Sequence, residues 1–88
     1  MLITDLIWDN ENVEHIVEHR VEPDEIEDVC YGKSRIERVS GNKYAILGQT
    51  AEGRHLFVIV AHRGRGIFRV ITAREMNENE RRRYAKWK

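Results

Sequence analysis

Cysteine, proline and long apolar runs are what this chain has least of. Its 88 residues include one cysteine, Cys30, and one proline, Pro23. A lone cysteine cannot close an internal disulfide, and an unpaired thiol suits a reducing compartment, where it reads as a small buried hydrophobe. No stretch approaches the about 18 consecutive apolar residues of a membrane-spanning helix, and no charged, apolar and small-residue leader opens the chain. The expected location is therefore the cytoplasm, away from membranes. Internal repeats, low-complexity tracts and linkers are also missing, so a single domain over residues 1–88 is expected. A domain of this size buries about 60 to 65% of its unfolded surface around one core, and an active site must lie on that core's surface.

The familiar catalytic signatures are scarce too. Neither Ser34 nor Ser40 lies in a nucleophile elbow, and Gly64 with Gly66 is too short for a dinucleotide fingerprint, so the pair reads as a turn. His15, Glu18 and His19 match H-x-x-E-H, in which two histidines bind zinc and the glutamate activates water. A hydrolytic zinc would need a third protein ligand and a deep cleft, whereas this glutamate-rich segment reads as a helix packing a small core. We therefore expect no metal site and no small-molecule cofactor.

Charge is present in quantity, and its total of zero hides a division. Residues 1–31 hold ten acids and one base, a local charge of −9, while residues 32–88 hold fourteen Lys or Arg and five Glu, a local charge of +9. A folded chain divided this way has an acidic part and a basic part. The basic part attracts phosphates at range, unless the two parts chiefly attract each other.

The hydrophobic period divides the chain similarly. Met1 to Trp8 reads as a short first strand. Asp9 offers an N-cap to a helix whose stripe is Val13, Ile16, Val17 and Val21. Pro23 suits a helix N1 position, Asp24 and Glu25 suit a first turn, and Gly32 can follow the end, which predicts a second helix over Pro23 to Tyr31 with Ile26, Val29 and Cys30 turned inward. Period 2 then takes over. Strands are expected over Ser34 to Val39, Lys43 to Thr50, Arg54 to His62 and Arg65 to Arg74, with turns at Ser40-Gly41-Asn42, Glu52-Gly53 and Arg63 to Gly66. Connections this short make a meander of antiparallel strands, with LFVIVA as its central strand, buried on both faces. Asn77 and Glu80 form a capping-box variant that opens a basic helix running towards Trp87. The fold class is thus α+β: a small antiparallel sheet of four to five strands, two N-terminal helices on one face, and a C-terminal helix.

Within this layout the arginines stand out. Arg54 opens the central strand, Arg69 lies inside the last strand, Arg74 leaves it, and Arg81, Arg82, Arg83 and Lys86 load the terminal helix as candidate RNA-binding cations. Arg54 and Arg74 should sit at the same end of adjacent antiparallel strands. Guanidinium groups there could hold a phosphate bidentately, while Tyr84 or His55 stacks a base or moves a proton. The competing reading pairs these arginines with Glu75, Glu37 or the acidic helices.

Several motifs together resemble the BrnT family of type II toxins: W-D at 8 and 9, N-x-E-H-I at 12 to 16, E-H-x-V at 18 to 21, P-x-E-I-E-x-V at 23 to 29, Tyr44 to Thr50, G-R at 53 and 54, V-I-T-A-R-E-M at 70 to 76 and E-R-R-x-Y at 80 to 84. The resemblance runs from about residue 6 to residue 86. Two positions depart from the pattern: Asn12 stands where a lysine is usual and Arg20 where a glycine is. The resemblance implies the RelE-like fold and a ribonuclease toxin held inactive by a small DNA-binding, BrnA-like antitoxin. It also implies Arg54, Arg69 and Arg74 as the site, with Tyr84 behind them. The expected activity is metal-independent RNA cleavage by an arginine cluster, with His55 or Tyr84 transferring the proton. The alternative is a non-catalytic RNA-binding or protein-interaction module of the same fold.

Overall fold

The computed structural model describes residues 3–8, 14 and 20–88. The helix expected after Asp9 and the His15, Glu18, His19 motif fall outside the described residues. Val21, the last member of that helix's expected stripe, is described and completely buried. Among the described residues the order is β1 (Asp5–Ile7), α1 (Pro23–Tyr31), β2 (Arg35–Ser40), β3 (Lys43–Gln49), β4 (His55–Gly64), β5 (Ile67–Glu75) and α2 (Glu78–Trp87). None of the described helices is long and apolar enough to cross a membrane.

Local chemistry explains both helices. Pro23 stands at the start of α1, where its missing N–H leaves no bond unmade, and the Glu25 carboxylate accepts from the backbone N–H of Glu22 at 3.0 Å. Gly32 ends α1 for a steric reason rather than a left-handed one, since a Cβ there would lie 2.6 Å from the Asp28 carbonyl oxygen. At α2 the capping box is complete: Asn77 Oδ1 accepts from Glu80 N–H at 2.9 Å, and Glu80 Oε1 accepts from Asn77 N–H at 2.8 Å.

The five strands form one sheet in the order β1-β5-β4-β3-β2. From β2 to β5 it is the expected antiparallel meander. The expectation of an all-antiparallel sheet fails at its edge, where β1 pairs parallel to β5 with Leu6 opposite Phe68. Most of the chain connects these two strands, so the short-connection argument for antiparallel pairing does not reach them.

The two described helices lie on opposite faces. On the α1 face Ile26, Val29 and Cys30 pack with Ile46, Leu56, Val58, Val60, Phe68 and Val70. On the other face Tyr84 and Met76 pack with Ala45 and Leu47, against Phe57 and Ile59. Burial of β4 on both faces is thus only partly realised. Leu56, Val58 and Val60 on the α1 face are sealed, while Phe57 and Ile59 on the α2 face stay half-buried.

Candidate functional site

Strand alternation decides where each candidate arginine points, because successive side chains take opposite faces. Leu56 belongs to the α1-side core, so Arg54, two residues earlier, turns to that side. Arg74 lies opposite Phe57, whose neighbours are on the α2 side. The two arginines share an end of the sheet, as expected, but occupy different faces, so they do not converge on one phosphate.

Arg54 is committed to acids. Its Nη1 donates to the Arg20 carbonyl at 2.7 Å and to both Glu25 carboxylate oxygens at 2.9 and 3.1 Å, and its Nη2 donates to Glu75 Oε1 at 3.0 Å. Burial disfavours its charge, but Glu25 and Glu75 outweigh that and raise its pKa. It ties the segment before α1, α1 itself and the end of β5 together, which matches the ion-pair alternative raised for strand-end arginines.

Arg69 and Arg74 are five positions apart, and unbroken alternation would turn them to opposite faces. A bulge changes this: Ile59 pairs with Thr72 and Val60 with Val70, which leaves Ile71 as an extra residue in β5. Phe68 and Val70 point into the α1-side core, so Arg69 between them turns to the α2 side together with Arg74. Arg74 makes a forked bond to Glu80, Nη1 to Oε1 at 2.7 Å and Nη2 to Oε2 at 2.8 Å, and its Nη1 also reaches the Glu75 carbonyl at 3.1 Å. Its Cζ stands 4.4 Å from the Phe57 ring centroid.

Tyr84 is the keel of α2 and is only 4% exposed. That excludes it as a stacking surface for a base, the role foreseen as one possibility. Its ring instead meets His55 edge-on, with centroids 5.8 Å apart, and Trp87 at 5.7 Å. Helical spacing sends the remaining α2 cations to different places. Arg81 and Arg82, with Glu78, Ala85, Met76 and His55, line an open groove of about 570 Å³. Arg83 reaches back over β2 and donates to both oxygens of Glu37 at 3.1 Å. Arg82 also pairs with Glu78 at 2.7 Å one turn earlier, and Lys86 is exposed.

The groove has a distinctive titrating group. Burial, and then the charges of Arg81 and Lys88, hold His55 below the usual histidine range, so its ring is neutral and proton-accepting at neutral pH. A neutral imidazole beside two guanidinium groups can accept a proton where negative charge develops. Sequence reasoning picked out His55 and the α2 arginines but read Glu80 only as a cap and Phe57 only as core. The cross-strand position of Phe57 beside Arg74 was the signal, and it depends on a register that residue types alone do not specify.

The sequence model of the family described as ribonuclease toxin, BrnT, of type II toxin-antitoxin system matches residues 8–80. No curated protein matches the chain. Among solved structures, the 1.1 Å crystal structure of the Brucella abortus ribonuclease toxin BrnT is similar in fold, with a TM-score of 0.69 and 18% identity, over 84% of this chain and 97% of that one.

Proposed function

The chain belongs to the BrnT family of type II toxin–antitoxin ribonuclease toxins, and from that membership we propose that it cleaves RNA without a metal, in the groove between His55 and α2. The observation that carries this reading is the neutral His55 ring facing Arg81 and Arg82 in one open groove. In the proposed reaction a ribose 2′-oxygen attacks the adjacent phosphorus while its proton passes to His55. The bond to the 5′-oxygen breaks, that oxygen takes a proton from water, and His55 returns its own to solvent. The products are a 2′,3′-cyclic phosphate and a 5′-hydroxyl. Arg81 and Arg82 supply positive charge to the pentacovalent intermediate, and Arg69, Arg83 and Lys86 add charge on the same side of the molecule for the rest of the strand. Arg54 serves the scaffold. Family membership also supports an antitoxin partner, which we propose to be a small DNA-binding protein of the BrnA kind acting with this chain in the cytoplasm.

Purified protein incubated with single-stranded RNA in excess chelator tests the reading. Cleavage should persist in chelator, and His55→Ala should slow it by about a hundredfold or more. A base must be neutral to act, so activity should hold down to a pH below the ordinary histidine value of about 6.5 and fall only as acid protonates His55. RNA left intact by the wild type, or cut equally by His55→Ala, would overturn the proposal in favour of a binding module.

A further inference from the structure

The end of the Arg74 guanidinium is engaged in its own plane, through three of its five N–H groups. Glu80 takes an N–H from each terminal nitrogen and the Glu75 carbonyl takes another from Nη1. One face lies over Phe57, with Cζ 4.4 Å from the ring centroid. Yet 41% of the side chain is exposed, while the Glu80 side chain that grips it is only 7% exposed. A phosphate seeking the end-on fork would have to displace a buried carboxylate that also caps α2 through Asn77 N–H at 2.8 Å. Phe57 backs one flat face of the guanidinium, and the opposite face is turned away from it. A planar, delocalised cation backed by an aromatic ring is a stacking surface for a nucleobase, which RNA-binding proteins use on unpaired strands.

We infer that Arg74 is a stacking platform for an unpaired nucleobase on the α2 side of the sheet, rather than an end-on phosphate clamp. This rests on the RNA reading above and gives it a base-binding position. Glu80 and Phe57 are the positioning residues, the first holding the guanidinium's edge and the second its back. Thr72, the preceding residue of β5 on that face, offers a hydroxyl to a base edge. Phe57 follows His55 by two residues on the same face of β4, roughly 7 Å along the strand, so the platform stands close to the proposed proton acceptor.

A 2′-O-methyl oligonucleotide carrying 2-aminopurine tests this, because it has no 2′-hydroxyl to attack and its fluorescence falls when the base stacks. Wild-type protein should bind it and quench it. Arg74→Lys keeps the charge without the plane, and should lose the quench and about tenfold in affinity. Phe57→Leu leaves the Arg74–Glu80 pair but removes the ring beneath, and should lose most of the quench, which keeps the test alive if Arg74→Lys does not fold. Glu80→Gln separates the two roles. A clamp released from its carboxylate would bind more tightly, with a plot of log affinity against log salt steeper by about 0.7 for one added phosphate contact; a platform leaves that slope unchanged. Full quenching by Arg74→Lys and Phe57→Leu, or the steeper slope in Glu80→Gln, overturns the inference. His55-dependent cleavage beside quenching independent of Arg74 removes the inference alone. Quenching without any cleavage of ordinary RNA removes the ribonuclease reading alone, and a wild type that binds no oligonucleotide removes both.

Discussion

Replacing Glu80 by alanine removes three hydrogen bonds at once: the fork to Arg74 and the cap on Asn77 N–H. The cap alone is worth about 1 kcal/mol. The forked pair is charge-assisted, but Arg74 is 41% exposed and solvent screens it, so about 1 to 2 kcal/mol is the reasonable share. Together these predict a loss of about 2 to 3 kcal/mol, which lowers the melting temperature of a domain this size by roughly 10 to 20 °C. Arg74→Ala should cost at least as much, because it strands a buried carboxylate. Urea and thermal unfolding followed by circular dichroism on both single variants and the double variant would give a coupling of about 1 kcal/mol or more. Acid adds an independent check. Burial works to raise the Glu80 pKa, but the bonds from Arg74 and Asn77 N–H outweigh it and lower the value. A carboxyl whose folded pKa is depressed contributes stability above its unfolded value, and that contribution fades as pH falls through the folded one. The gap between wild type and Glu80→Gln should therefore close in acid. A loss below about 0.5 kcal/mol, an Arg74→Ala background that leaves the cost of Glu80→Ala unchanged, or a gap that does not move with pH would each refute the argument.

Two further substitutions probe the scaffold. Arg54→Ala should destabilise by about 2 kcal/mol, since it releases the Arg20 carbonyl, Glu25 and Glu75 together. Arg54→Lys should recover little, because one ammonium cannot reproduce a fork to three acceptors, and urea midpoints for the pair would show this. Gly48→Ala would set a Cβ 3.1 Å from Val29 Cγ1 and 3.2 Å from Ser34 Cβ, pressing α1 away from β3. A net cost of about 1 kcal/mol is expected after the gain from a stiffer unfolded chain, and a stabilised variant in thermal unfolding would contradict it.

The charge division of the sequence reappears in the fold as pairs joining its two halves and as a basic α2. Arg54 belongs to the basic half and Glu25 to the acidic one, and they meet in the structure. On α2, Arg82 pairs with Glu78 and Arg83 with Glu37, and Arg81 and Arg82 line the His55 groove. The competing readings of the arginines therefore both apply, at different residues. Arg54, Arg74 and Arg83 follow the ion-pair reading, with Glu25 and Glu75, Glu80 and Glu37 respectively, while Arg81 and the Glu78-paired Arg82 line the groove.

Much of this architecture was legible because its causes are local. Pro23 and Gly32 bound α1, the Asn77–Glu80 capping box opens α2, and four period-2 runs separated by turn residues became β2 to β5 within one or two residues at most ends. Family membership was legible as well, carried by short motifs spread along the chain. What the sequence could not determine is which residues share a face. The bulge at Ile71 turns Arg69 to the side of Arg74, and alternation in β4 and β5 sends Arg54 to the other side, against Glu25 and Glu75. The partner of β1, the burial of Tyr84 and the seat of Arg74 between Phe57 and Glu80 likewise arise from contacts between residues distant along the chain. Residue types and their period specify elements through interactions a few positions long. Register, bulges and helix placement are settled only when the whole sheet packs, so the tertiary structure decided that His55, Arg74 and the α2 arginines share one side while Arg54 does not.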